Sequence, residues 1–167
     1  GTTTRIEQPT AASLSINRVV GDSPSAILGT LSSNGRLALV NPAGITVGAG
    51  AVVDTAGFTA STLRMTDAEI LAGLTRAADP ARGGDIDIQG QVIARHGDVF
   101  LLGGGIRHTG HLQATSASRV GGRVVLQAQG DARVAGTITA RRQDAERGGE
   151  VGGAIDVLGE RVALEAG

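Results

Sequence analysis

The sequence predicts an all-β chain wound as a parallel β-helix, and three observations carry that prediction. Ten-residue segments beginning at Asp85, Gly105 and Asp131 align without gaps. Each has Gly at its sixth position (Gly90, Gly110, Gly136), an aliphatic residue at its eighth (Val92, Leu112, Ile138) and Ala at its tenth (Ala94, Ala114, Ala140). A shorter segment also recurs, as Asp98-Val-Phe-Leu-Leu-Gly103, Arg123-Val-Val-Leu-Gln-Ala128 and Arg161-Val-Ala-Leu-Glu-Ala166. Within the segments apolar and polar residues alternate with period two, as in Asp85-Ile86-Asp87-Ile88, which is the signature of a strand with one buried face. Fixed self-similarity of this kind marks a solenoid, whose coils stack on their neighbours.

The repeats assign the core. Val99, Val124 and Val162 match one another, as do Leu101, Leu126 and Leu164, and these six are expected to stack from coil to coil. The segment Ala154-Ile-Asp-Val-Leu-Gly159 offers a second way to fill the last copy. Gly90 to Gly110 is 20 residues and Gly110 to Gly136 is 26, and the extra length falls after the Ala each time. The connectors are Arg95-His-Gly97, residues 115–122 and residues 141–153, so length varies at one corner only, where a loop leaves the strands unchanged. The longest connector reads as a mixed-charge solvated loop, with Arg141, Arg142 and Arg147 beside Asp144, Glu146 and Glu150. A β-sandwich would need hairpin turns between strands, and the one Asn-Gly pair, Asn34-Gly35, lies outside the repeats.

Earlier in the chain, Ser25–Gly29, Arg36–Val40, Ile45–Val47, Ala51–Val53 and Phe58–Ala60 read as short strands broken by Gly, Asn and Pro. One helix is expected near 67–78. Thr66 and Glu69 form a capping box, Ile70, Leu71, Leu74 and Ala78 share a helical face, and Asp79-Pro80 ends it. It would cover the side of the coil. The expected organisation is one continuous solenoid, with an irregular part at 1–66, the helix and a loop at 67–84 and regular coils at 85–167.

Composition agrees and excludes. Of 167 residues 27 are Gly, and aromatics are 1 %, so the core must be thin and built from small aliphatics. Fifteen Arg, with no Lys, face sixteen acids for a net charge of −1, which argues against a nucleic-acid partner. With no cysteine there is no disulfide or thiolate chemistry, and no apolar run is long enough to span a membrane.

Arg5-Ile-Glu-Gln-Pro-Thr10, Ile16-Asn-Arg-Val19, Ser25-Ala-Ile-Leu-Gly29, Asn34-Gly35, Asn41-Pro-Ala-Gly-Ile45 and Ala60-Ser-Thr-Leu63 follow one another in an order and spacing that resembles the secretion domain of two-partner-secretion exoproteins of the filamentous-haemagglutinin type. The coils after Gly84 resemble the β-helical repeats of that family. The resemblance implies a right-handed parallel β-helix, export through the periplasm and recognition by an outer-membrane β-barrel transporter with periplasmic domains. It also implies folding at the cell surface as an adhesin or haemagglutinin scaffold, with a host receptor or glycan as a further partner. It starts part-way through the family pattern, so the chain is expected to be an N-terminally truncated fragment. It departs at Ala43, where the family has Asn, and Ala lacks the side-chain acceptor an Asn turn uses.

The site candidates follow. Asn41, Pro42, Gly44 and Ile45 are expected to form a turn at a coil corner, with the resemblance adding a transporter contact. Asn17 and Arg18 are expected to serve the backbone of an uncovered coil or to meet a partner. Asp85 and Asp87 share a strand face roughly 6.6 Å apart, a spacing seen in paired glycosidase carboxylates, but they read as solvated, with Asp87 set to pair with Arg107 across coils. His96, His108 and His111 read as solvated rather than as a metal site. The expected function is a non-catalytic secreted scaffold needing no cofactor. The alternatives are a polysaccharide-active enzyme and a purely structural fibre repeat.

Overall fold

The computed structural model describes residues 1–117, 121–144, 146 and 148–166. The chain passes through three parallel sheets in turn, and six circuits build the β-helix. The first coil is β1 (Thr3–Ile6), β2 (Leu14–Arg18) and β3 (Ser25–Ile27). The second is β4 (Thr30–Ser33), β5 (Arg36–Val40) and β6 (Ile45–Val47). In the third, β7 (Val52–Thr55) and β8 (Gly57–Ser61) lead through α1 (Asp67–Leu71) to β9 (Ile86–Ile88). The fourth is β10 (Gln91–Ala94), β11 (Val99–Gly103) and β12 (Ile106–His108), and the fifth is β13 (His111–Ser116), β14 (Val124–Ala128) and β15 (Asp131–Val134). The sixth is β16 (Thr137–Asp144), β17 (Gly149–Gly152), β18 (Ile155–Leu158) and β19 (Arg161–Leu164). Strands β1, β2 and β4 were not expected from the sequence; the Thr- and Ser-rich β1 and β4 carry no aliphatic alternation, whereas β2 does, at Leu14 and Ile16.

Register is in step from coil to coil. Val53, Val92, Leu112 and Ile138 form one inward column, and Ala94, Ala114 and Ala140 the next. In the second sheet Leu37, Phe58, Val99, Val124 and Ile155 stack, with Leu39, Ala60, Leu101, Leu126 and Val157 beside them. Val162 and Leu164 are not in these columns. They pair with Ala132 and Val134 in the third sheet and are exposed, and Ile155 and Val157 take the places expected for them. The reason lies in the connector. β16 stays paired with β13 as far as Arg142 and from Arg141 also pairs antiparallel with β17, and the chain re-enters the second sheet at Ile155, one strand earlier than the repeat alignment implies. Arg141 and Glu150 pair at 3.1 Å across that hairpin, and Arg147 lies outside the described residues.

The repeated glycines sit where the chain has no room for a side chain. A Cβ on Gly110 would run into the Gly90 carbonyl of the coil before it, and one on Gly136 into the Gly110 carbonyl. At each of these corners the glycine N–H donates to the preceding coil, Gly110 to Ile88 O at 3.1 Å and Gly136 to His108 O at 3.1 Å. Between coils, carboxylates are clasped by arginines of the next turn. Arg95 grips Asp54 with two bonds of 2.6 Å, Arg123 grips Asp98, and Arg161 grips Asp131. These pairs are partly solvated and add little stability each. Asp87 and Arg107 are register neighbours but form no ion pair among the described residues, and Asp87 accepts instead from Gln89 Nε2 at 2.7 Å.

The helix is shorter than expected. It ends at Leu71 because Gly73 turns left-handed (φ +66°), and of the expected apolar face only Ile70 is buried, Leu71 and Leu74 being exposed. Ile70 packs with Leu63 and Met65 over Ala38, Val40 and Leu102, on the outer side of the second sheet. The capping box is present, and backbone donors from Thr66 and Ala78 hold the Glu69 carboxyl below its ordinary range.

His108 is a correction. Far from solvated, it is fully buried in the column Ile27, Val47, Ile88, His108, Val134 and Leu164. Its Nε2 lies 3.2 Å from the Thr137 carbonyl and its Nδ1 has no partner. Burial pushes its pKa down, and the Thr137 and Ile88 carbonyls oppose that only in part.

Two outcomes are expected. Leu126→Ala, in the middle of a fully buried column, should cost about 2–5 kcal/mol in a urea-unfolding experiment. The unfolded chain takes up a proton at His108 as pH falls through about 6.5, while the folded coil resists until lower pH. Stability should therefore be full above that value and fall on acidification. His108→Val should flatten the fall, read as the urea midpoint at pH 7.5 and pH 5; an unchanged slope would refute the assignment.

Candidate functional site

Where β5 leaves the second sheet the chain must turn sharply to enter the third. Asn41 begins that turn and is wholly buried. Its Oδ1 accepts from the Ala43 N–H at 3.0 Å, and its Nδ2 donates to Ser23 O at 3.0 Å and to Ser25 Oγ at 2.8 Å in the coil before. Its own N–H donates to Ser61 O in the coil after, at 2.9 Å. One side chain thus closes a turn and ties two coils, work that an aliphatic residue could not do. The Gly44 N–H returns to Asn41 O at 3.1 Å, and Gly44 adopts φ +138°, which favours glycine. Pro42 O accepts from Gly84 at 2.8 Å, and Ile45 follows directly into the core.

Asn17 and Arg18 end β2, beside this turn. Asn17 points inward, in register with Leu39, and Nδ2 reaches Ser15 Oγ at 3.2 Å. Arg18 points outward and was expected to serve backbone carbonyls. It pairs instead with Asp67 at 2.8 Å, the first residue of α1, because the helix start lies across the sheet edge.

The outward residues line a cleft of about 810 Å³. Its walls are the 19–22 connector, the Pro42-Ala43 turn and the approach to the helix, with Arg18, Val20, Pro42, Ala43, Arg64 and Asp67 on its surface. Val20 is 94 % exposed. The structure therefore splits the six candidates. Arg18 and Pro42 face the cleft, while Asn17, Asn41, Gly44 and Ile45 shape the corner beneath it. Val20, Arg64 and Asp67 were not singled out in the sequence. Val20 comes from one corner and Arg64 and Asp67 from another, and only the winding of the chain brings the two together. Among the described residues no cluster of three or more His, Asp or Glu could hold a metal ion, and no helix is long and apolar enough to cross a membrane.

Comparison with known proteins agrees with this architecture. The sequence model described as the TPS secretion domain matches residues 2–166. A heme/hemopexin-binding protein of Haemophilus influenzae is 40 % identical over 58 residues, which is 35 % of this chain and 6 % of that protein. Its counterpart from strain Rd is 43 % identical over 56 residues, 34 % of this chain and 6 % of its own length. The chain thus spans a small part of the curated relatives it matches. The crystal structure of the HMW1 secretion domain from Haemophilus influenzae superposes with a TM-score of 0.62 at 23 % identity, covering 98 % of this chain and 55 % of that one.

Asn41→Ala should leave the Ala43 N–H and the Ser23 carbonyl without their partners and cost about 1–3 kcal/mol, seen as a lowered melting temperature with the β-sheet circular dichroism spectrum retained.

Proposed function

The chain belongs to the TPS secretion domain family, and on that premise we propose that the cleft beside the Asn41 turn is the surface by which periplasmic domains of its transporter recognise it. Domains of this family belong to exported proteins of two-partner secretion systems, and the partner is an outer-membrane transporter. The cleft supports the reading because it joins an exposed apolar residue, Val20, to two guanidiniums, Arg18 and Arg64, at one corner of the coil. Such a mixture of an apolar anchor and cations suits a partner that must be gripped and then released.

The role is non-catalytic: a secretion-competent scaffold of the filamentous-haemagglutinin type, displayed at the cell surface and presenting its corner loops for adhesion to a receptor or glycan. Coils that contact mainly their neighbours can form one after another as the chain emerges, which would draw the rest outward.

Co-expression with the cognate transporter tests the reading. Val20→Asp combined with Arg64→Glu should lower secretion at least tenfold, while the melting temperature of the purified domain stays within about 2 °C, as for surface changes. Unchanged secretion of that variant would defeat it.

A further inference from the structure

The chain holds three asparagines, and only Asn34 is followed by glycine. That pairing sets up a reaction of the chain with itself. A backbone nitrogen attacks the side-chain carbonyl carbon of the asparagine before it, ammonia leaves, and a five-membered succinimide forms. Water then opens the ring at either carbonyl, giving aspartate or iso-aspartate. Glycine hinders the attack least, having no Cβ and the widest backbone freedom. Asn17 precedes Arg18, whose side chain crowds the nitrogen, and Asn41 precedes Pro42, whose nitrogen carries no proton. Asn34 is therefore the reactive asparagine of the unwound chain.

Winding engages every group that the reaction uses. Asn34 lies at the exposed corner between β4 and β5, and Gly35 beside it is buried. The Asn34 amide is clasped by the Gln8 backbone of the coil before: Oδ1 accepts from the Gln8 N–H at 2.8 Å, and Nδ2 donates to Gln8 O at 2.7 Å. The Gly35 N–H donates to Ser33 Oγ at 3.2 Å, and Gly35 O accepts from the Ala56 N–H of the coil after at 3.0 Å. The Gln8 side chain lies across Gly35, where a Cβ would strike it, and its Nε2 donates to Ser33 Oγ at 2.9 Å and to Arg36 O at 2.8 Å. Ring closure must give up two of these bonds outright. Nδ2 departs as ammonia, and the Gly35 nitrogen loses the proton that it gives to Ser33.

We propose that Asn34 is a deamidation site open only while the first two coils are unwound, and that its conversion stops the first coil from closing. Aspartate keeps an acceptor for the Gln8 N–H but has no donor, so a carboxylate oxygen faces the Gln8 carbonyl. Iso-aspartate routes the main chain through the side-chain carbon, which adds a methylene between β4 and β5 and moves Gly35 from under Gln8. Either product loses the clasp between the first coil and the second. Residue 34 thus keeps a lasting record of the time the chain has spent unwound, whatever recognises it.

Peptide mass spectrometry tests this on the chain incubated at mildly alkaline pH, folded in buffer and unfolded in guanidinium chloride, with Asn17 and Asn41 as internal references. Conversion at Asn34 should be at least tenfold faster in the unfolded chain, and the two references should lag behind it there. Asn34→Asp, made directly, reads the second half by hydrogen exchange. The backbone amides of β1 and of Gln8 should exchange at least tenfold faster than in the unaltered chain, while β11 and β14 keep their protection. Equal conversion in the folded and unfolded chain, or faster conversion at Asn17 or Asn41, would overturn the proposal. So would unaltered exchange in the first coil of Asn34→Asp, or loss of protection in every coil.

Discussion

Everything in this molecule depends on how closely one coil's backbone can pass its neighbour at the corners. Parallel strands hydrogen-bond at about 4.8 Å, and the turns between them must hold the same pitch. At Gly90, Gly110 and Gly136 that pitch places a carbonyl of the preceding coil in the space a Cβ would fill. A side chain there would push the coils apart and break the bonds that Gly110 and Gly136 make to Ile88 and His108. With the corners closed, the inward columns come into register without further instruction, and Val99 meets Val124 as Leu101 meets Leu126.

The interior is uniform in size more than in polarity. Narrow coils accept Ala, Val, Leu and Ile, which explains why two phenylalanines suffice. Polar groups enter where backbone must be served. Asn41 closes a turn and links to Ser23 and Ser25, while Thr62 donates to Gly84 O at 2.6 Å and accepts from the Gly104 N–H at 3.3 Å. These residues act as stitches through the corner column. His108 is different, since it takes an aliphatic position and leaves one nitrogen unserved. It is the one titratable side chain in its column, and burial lowers its pKa.

Much of the architecture was legible in the sequence, because repetition reports directly on stacking. The Gly90, Gly110 and Gly136 alignment reproduces the pairing of the third and first sheets residue by residue. It failed at Val162 and Leu164, where similarity of pattern could not say which sheet a Val-x-Leu strand joins. A hairpin in the connector decided that. The solvated reading of His108 also failed, since a strand's inward parity outranks the usual solvation of histidine. The turn at Asn41 could be read from its residue types. The cleft beside it could not, because Arg18, Pro42 and Arg64 are distant in sequence and adjacent only after winding.

The hairpin of β16 and β17 shows how such a molecule can change. It leaves the coil after Arg142 and returns before Ile155, and the strands on either side keep their partners as though nothing had been inserted. The corner behaves as a port: material added there alters what the surface presents without touching the spring it projects from. Lineages could therefore diversify their exterior quickly at this one position while the winding beneath stays the same.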